Sequence, residues 1–322
     1  MSSPHERILV IRLGALGDLI FCFQAFHEIR QAHPTAEIAL LTRTPFVAFA
    51  QALPWFDHVF VETHPTLKTP GSWLELRKTI RDFGPNRVYD LQGKTRQTVL
   101  YALLGGPLGP EWSGAAPLCT FPRPWPPKPD MHFMDFISAQ LRAANVPQQP
   151  PPDLSWFDAP VEKFGLLSRY VVLVPGCSPK ALYKRWPTEK FAELVAAMKR
   201  RSLTTVMIGS SADEDVALSL KKKAPDVQNL CGKTSLFELA GILRRAEGAI
   251  GNDTGPLHMA AALRTPTVAL LSGRTNPVWS KPPGPNVAWR QSERIEDLKT
   301  EDALAAYDSL AIGEGKGMKP PY

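Results

Sequence analysis

The stretch Gly251-Asn252-Asp253-Thr254-Gly255-Pro256-Leu257-His258 follows an apolar segment, Ala246 to Ile250, and runs directly into Met259-Ala260-Ala261-Ala262-Leu263. That order predicts strand, tight turn and helix. An acid, a hydroxyl, a glycine and an imidazole crowd one turn at a helix N-terminus, where backbone N–H groups lack intrahelical partners and the helix dipole is positive. Such a place suits a phosphate or diphosphate. A plain cap, with Asp253 or Thr254 capping and His258 on the surface, competes with that reading while these eight residues are taken alone.

The same unit recurs on both sides. Arg169–Val174 predicts a strand, followed by the turn Pro175-Gly176-Cys177-Ser178 and a helix over Thr188–Arg201 with Thr188 as its N-cap. Strand Thr204–Ile208 ends at Gly209-Ser210-Ser211, and helix Asp213–Lys223, strand Val227–Leu230, helix Leu236–Arg245 and strand Thr267–Leu271 complete the half. The first half reads alike. Arg7–Leu13 is a nearly continuous apolar run, as expected of a strand buried on both faces of a parallel sheet. Gly14-Ala15-Leu16-Gly17-Asp18 then leads into a helix over Leu19–Gln31, with Asp18 at its cap. Strands at Glu37–Leu41, Val59–Val61 and Arg87–Leu91 alternate with helices at Pro45–Leu53 and Trp73–Phe83, and Met131–Ala144 has a helical period. The proline-rich Pro117–Pro129 reads as a surface excursion, and Pro147-Gln148-Gln149-Pro150-Pro151-Pro152 as a stiff linker. Strict alternation predicts an α/β protein with parallel sheets. Two Rossmann-like halves joined by prolines predict a bilobal molecule with a cleft.

Composition narrows the class. The 322 residues carry a net charge of +6, mostly in the second half. A diffuse excess of this kind suits anionic ligands or a membrane surface. No basic stripe or RNA-binding signature argues for nucleic acid. The four cysteines, Cys22, Cys119, Cys177 and Cys231, are scattered without a Cys-x-x-Cys pair, so a structural zinc is not expected and reduced thiols are. Met1–Arg7 has no signal-peptide core, and no apolar run approaches the roughly 18–20 residues of a membrane span. A cytoplasmic protein with at most peripheral membrane contact is expected.

Three turns of the second half follow strands that should be parallel, so they should share one sheet edge. They are Gly176-Cys177-Ser178 with Lys184-Arg185-Trp186-Pro187, then Gly209-Ser210-Ser211-Ala212-Asp213-Glu214, then Asp253 to His258. Together they offer a cation, N–H groups, hydroxyls and acids, which are the groups a nucleoside diphosphate needs. His258 is the only one of the seven histidines beyond residue 132.

With these residues in hand the chain resembles glycosyltransferase family 9, the heptosyltransferases, over nearly its whole length. The motifs are Arg12-Leu13-Gly14-Ala15-Leu16-Gly17-Asp18, Asp90-Leu91-Gln92-Gly93, Pro175-Gly176-Cys177-Ser178 with Lys184-Arg185-Trp186-Pro187, Leu230-Cys231-Gly232-Lys233-Thr234-Ser235-Leu236, and Asn252 to Ala261. The resemblance implies GT-B architecture: an acceptor-binding domain over 1–155, a nucleotide-sugar domain over 156–292, and a C-terminal segment 293–322 whose helix, Glu301–Leu310, crosses back to the first domain before a mobile tail. It also implies inverting, metal-independent transfer of a heptose from ADP-heptose to an inner-core lipopolysaccharide acceptor, with no cofactor. The partners implied are a nucleotide sugar and a lipid-linked anionic glycan, with peripheral contact at the inner face of the inner membrane. Asp18 matches the family's catalytic base. Lys184 matches its diphosphate lysine, and Asp253, Thr254, Gly255 and His258 its donor turn. Asp213 or Glu214 falls where the family has a ribose-binding acid, and Ser178 where a phosphate hydroxyl would stand. Arg43, Lys94 and Arg96 are the acceptor-side cations.

Two departures fall on the acceptor side. Phe21-Cys22-Phe23-Gln24-Ala25 replaces the family's usual Thr or Ala followed by Pro-Ala, and Pro117–Pro129 resembles an insertion. Two alternatives therefore stand beside the main reading: a related GT-B transferase with another nucleotide sugar or a non-lipopolysaccharide acceptor, and an NAD(P)-dependent oxidoreductase with Arg43 reading a phosphate. Against the second, Gly14-x-x-Gly17-Asp18 lacks the Gly-x-Gly-x-x-Gly spacing of a dinucleotide site. A non-catalytic nucleotide-sugar binding protein is a third.

Overall fold

The computed structural model of the chain describes residues 6–63, 65, 69–124 and 130–313. The expected mobile tail and part of the Pro117–Pro129 excursion lie outside these residues. The chain divides into two compact units, Met1–Pro152 and Asp153–Tyr322. The division falls at the end of the proline linker.

In the first unit six strands form one parallel sheet: β1 (Arg7–Ile11), β2 (Glu37–Thr42), β3 (His58–Val61), β4 (Arg87–Asp90), β5 (Glu111–Gly114) and β6 (Phe121–Pro122). Their order is β3-β2-β1-β4-β5-β6, with Leu9 opposite both Ala39 and Val88. Ile8, Leu9, Val10 and Ile11 are all fully buried, because helices cover both faces of the central strand. The sheet order reverses beside β1, and ligands of open α/β sheets bind outside the carboxyl ends of strands at such a point.

The second unit repeats the design with β7 (Tyr170–Val174), β8 (Thr204–Met207), β9 (Gln228–Asn229), β10 (Gly248–Asn252), β11 (Thr267–Ser272) and β12 (Val287–Ser292), in the order β12-β11-β10-β7-β8-β9. Its core includes Val171, Leu173, Trp186, Phe191, Met198, Ile250 and Leu270. Trp186 lies edge-on to Phe191 and donates Nε1–H to the carbonyl of Leu298 at 3.0 Å.

Several expectations are corrected. The helix expected over Leu19–Gln31 begins at Leu16 and breaks at Cys22, giving Leu16–Phe21 and Phe23–Ala32. Asp18 is therefore not an N-cap. It sits in the first turn and accepts the amide of Ala15 at 3.0 Å. Thr188 is the first helical residue rather than the cap, which is Pro187. The expected excursion contributes a short strand, since Phe121 pairs with Ser113. The C-terminal helix, expected over Glu301–Leu310, runs from Thr300 to Gly313, with Ala303, Ala306 and Tyr307 buried in the second unit's core. Ala303 and Ala306 are small enough for the helix to lie close on the sheet. Among the described residues no helix is long and apolar enough to cross a membrane.

Candidate functional site

At the C-terminal edge of the first sheet, Arg12 leaves β1 buried, with Nη1 donating to the carbonyl of Leu91 at 2.5 Å and the guanidinium stacked 4.9 Å over Phe133. Its Nη2 lies 3.2 Å from Oδ1 of Asp18, whose side chain is 42% exposed. Asp18 is thus held on one side by a buried cation and on the other by the Ala15 amide, while the rest of the carboxylate reaches solvent. Gly14 adopts φ +95°, and a Cβ there would come within 2.3 Å of the Phe46 ring, so only glycine fits this turn.

Asp90-Leu91-Gln92-Gly93 is a structural tie. The buried Asp90 carboxylate accepts the amides of Gln92 at 3.0 Å and Gly93 at 2.8 Å, and Gln92 Oε1 accepts the amide of Leu13 at 3.0 Å. Burial pushes the Asp90 carboxyl above its ordinary value, against the opposing pull of Arg123 and the two amides. Beyond this tie Lys94 is exposed at the start of helix Thr95–Leu103. Arg96 reaches Glu62 Oε1 at 2.7 Å, and Arg43 Nε stands 3.5 Å from Glu62 Oε2. Glu62 is only 2% exposed.

The second sheet brings the three predicted turns onto neighbouring strands, since β10, β7 and β8 are adjacent. Asn252 is fully buried and fastens them. Its Nδ2 donates to the carbonyl of Pro175 at 2.8 Å, and its Oδ1 accepts the amide of Trp186 at 3.0 Å. That bond fixes the segment carrying Lys184. Lys184 Nζ donates to Asp253 Oδ2 at 2.5 Å and to the Asp253 carbonyl at 3.3 Å. His258 Nε2 lies 3.2 Å from Asp253 Oδ1. Burial would raise the Asp253 carboxyl, but the contact with His258 and the charge of Lys184 outweigh it and hold the group below the ordinary value. Thr254 and Gly255 are half-buried at the N-terminus of helix Gly255–Ala262. Thr254 Oγ1 donates to the carbonyl of Asn252 at 3.3 Å rather than capping the helix.

Asp213 and Glu214 part company. Asp213 turns inward and accepts both the amide and the hydroxyl of Ser210 at 2.9 Å. A Cβ at Gly176 would meet its Oδ1 at 2.3 Å, so the carboxylate fills the space that glycine leaves. Glu214 is exposed on the first turn of helix Glu214–Lys223. Ser178 is exposed too, and its hydroxyl caps the next turn by accepting the Lys180 amide at 3.4 Å. Three residues of these edges were given no role by the sequence, Arg12 although it opens the first motif, Glu62, and Arg274 just past β11, whose guanidinium stacks 4.3 Å over Tyr183 beside Lys184. Each lies one to two residues beyond a strand end, which was the available signal.

The arrangement offers an oriented carboxylate in one unit, and in the other a lysine and a histidine gathered on a buried aspartate at a helix N-terminus. The profile of glycosyltransferase family 9 (heptosyltransferase) matches residues 73–307. Lipopolysaccharide heptosyltransferase 2 of Escherichia coli (strain K12) is 25% identical over 311 residues, covering 86% of this chain and 85% of that protein. Lipopolysaccharide heptosyltransferase 3 of the same strain is 28% identical over 172 residues, and there the match spans about half of each chain, 47% and 48%. Among solved structures, a glycosyl transferase family 9 protein from Veillonella parvula DSM 2008 superposes with a TM-score of 0.83 at 20% identity, covering 98% and 99% of the two chains. The E. coli heptosyltransferase WaaC with ADP gives 0.75 at 18% identity, covering 94% and 99%. At these identities the superpositions show the fold alone, the two-sheet GT-B fold.

Proposed function

The chain belongs to glycosyltransferase family 9 (heptosyltransferase), and on that premise we propose that it moves a heptose from ADP-heptose to an anionic inner-core lipopolysaccharide acceptor, with inversion at the anomeric carbon. The observation that carries the reading is the gathering of Lys184, Asp253 and His258 at the N-terminus of helix Gly255–Ala262. Solved relatives with this fold hold ADP and ADP-2-deoxy-2-fluoro heptose.

In this reading the donor diphosphate lies against Lys184, the Thr254 hydroxyl and the amides around Gly255. Asp253 is too buried to meet an anion itself; it aims Lys184 and His258. Asp18 takes the proton of the acceptor hydroxyl, whose oxygen forms a bond to the anomeric carbon from the face opposite the leaving group. The bond from that carbon to the diphosphate oxygen breaks, and ADP departs with the electron pair. Negative charge developing on the diphosphate is met by Lys184 and the helix terminus. Arg43, Lys94 and Arg96 line the acceptor side. A lipid-linked acceptor places the enzyme in the cytoplasm at the inner face of the inner membrane, where the charge of +6 favours an anionic surface.

The test offers ADP-, GDP- and UDP-linked sugars with an inner-core acceptor, and identifies the product and its anomeric configuration. The reading expects transfer from ADP-heptose, inverted, and undiminished by a chelator. Transfer only from a GDP- or UDP-sugar would replace the donor, and retention of configuration would remove Asp18 as a single-displacement base.

A further inference from the structure

Arg274 is a cation of the second unit that the proposed chemistry leaves without a role. β11 ends at Ser272, and the Thr275 amide donates back to the Ser272 carbonyl at 2.9 Å, which closes a tight turn with Arg274 inside it. Gln291 of β12 pins both ends of that turn, its Nε2 donating to the carbonyls of Ser272 at 3.0 Å and Thr275 at 2.7 Å. The backbone is therefore fixed while Arg274 itself is exposed. Its guanidinium stacks 4.3 Å over the Tyr183 ring, and among the described residues it makes no hydrogen bond or ion pair. A guanidinium held by its face keeps its N–H donors pointing outward in the plane.

Two constraints place this cation on the donor edge. Tyr183, which carries it, directly precedes Lys184, and Lys184 Nζ is bound to Asp253. β11 also pairs with β10, Leu270 opposite Asn252, so the turn after β11 lies beside the turn Asp253–His258. Direction follows from the strand order β11-β10-β7-β8. Glu214, the exposed one of the two ribose candidates, follows β8, and the diphosphate turn follows β10. With neighbouring strands about 4.8 Å apart, those two ends are about 10 Å apart. A nucleotide laid from ribose to diphosphate along that edge points its sugar-linked phosphate toward β11. Lys184 shares its charge with the Asp253 carboxylate at 2.5 Å, whereas Arg274 has no acidic partner among the described residues.

From this we propose that Arg274 is a second cation for the leaving group: held on the face of Tyr183, its fork of donors meets the sugar-linked phosphate of the nucleotide sugar. The proposal rests on the glycosyltransferase reading and adds to it a residue that distinguishes the two phosphates. As the bond from the anomeric carbon to the phosphate oxygen breaks, its electron pair stays on that oxygen, so the new negative charge appears on the phosphate nearest β11. A planar guanidinium suits such a group, because it can donate two parallel N–H bonds to phosphate oxygens. Tyr183 is the positioning residue, since its ring fixes the plane of the fork.

The experiment titrates ADP and AMP into the full chain by calorimetry, because AMP lacks the phosphate that carries the sugar. Arg274→Met is expected to weaken ADP binding about tenfold, roughly 1.4 kcal/mol, with AMP binding within about twofold of wild type. Arg274→Met added to Lys184→Ala should weaken ADP binding again by a similar factor, whereas an arginine that merely steadied the lysine would add nothing. Tyr183→Leu removes the platform and should reproduce part of the loss, and Tyr183→Phe, which keeps the ring, should restore it. Unaltered ADP binding in Arg274→Met or in Tyr183→Leu overturns the proposal. Equal weakening of ADP and AMP overturns it too, as does no further loss in the Lys184→Ala background. Failure of the transferase reading shows separately, as a wild type that does not bind ADP.

Discussion

Arg12, with 4% of its side chain exposed, places Nη2 at 3.2 Å from Asp18 Oδ1 and so orients the carboxylate proposed as base. Its other terminal nitrogen is fixed on the Leu91 carbonyl. Arg12→Met should therefore lower kcat by about 10–100-fold, the range that small misplacement of a catalytic group produces, with donor KM little altered. Arg12→Lys should restore part of the loss. Steady-state kinetics decide this, and an unchanged kcat in Arg12→Met would separate Arg12 from the base.

Asp18→Asn should abolish transfer, by at least about 10²-fold as expected for removal of a general base, and leave ADP affinity intact, because the residues proposed to hold the nucleotide belong to the other unit. Parallel turnover and ADP titration test it. Retained turnover would take Asp18 out of the mechanism.

Asp253 links the donor turn to acid stability. Its folded-state carboxyl is held below the ordinary 3.8 by His258 and Lys184 despite burial. A depressed folded-state value gives stabilisation that is present above 3.8 and is lost as pH falls through the folded-state value. Melting curves between pH 7 and pH 3 should therefore show a shallower acid decline in Asp253→Asn than in wild type. The same slope in both would contradict the ion-pair account.

Asn252→Ala removes the acceptor for the Trp186 amide and the donor to Pro175, both buried. Leaving such groups unpaired costs about 2–4 kcal/mol in total. Denaturant unfolding should show that loss, with weakened ADP binding because the Lys184 segment loses its anchor. A loss below about 1 kcal/mol would mean that the fastening lies elsewhere.

Apolar runs bounded by glycine turns were legible. β1, β2, β7 and β11 stand where their continuous hydrophobic stretches predict them, because strands covered on both faces need no polar alternation, whereas β10 starts later than expected and runs on through Gly251 and Asn252, which read as turn. β12 was not legible. It is an edge strand of mixed polarity, Val287-Ala288-Trp289-Arg290-Gln291-Ser292, half-buried along most of its length, after a Pro-Pro-Gly-Pro run that reads as loop. β5 and β6 were hidden in the same way, being four and two residues long among glycines and prolines. At the site, residue type and strand-end position pointed to Lys184 and His258. The inward turn of Asp213 was invisible, since only the packed neighbourhood reveals that its carboxylate fills the space beside Gly176. Glu62 was missed for a related reason: its two partners lie 19 and 34 residues away in the chain, and only strand order brings them together.

Calorimetric titration of ADP tests the central claim, that the turn Asp253–His258 with Lys184 takes the diphosphate of the donor. Wild type should bind ADP, and Lys184→Ala and His258→Ala should each bind it at least about tenfold more weakly, the effect of losing one charge-assisted contact. ADP binding that is absent from wild type, or unaltered in both variants, would contradict it.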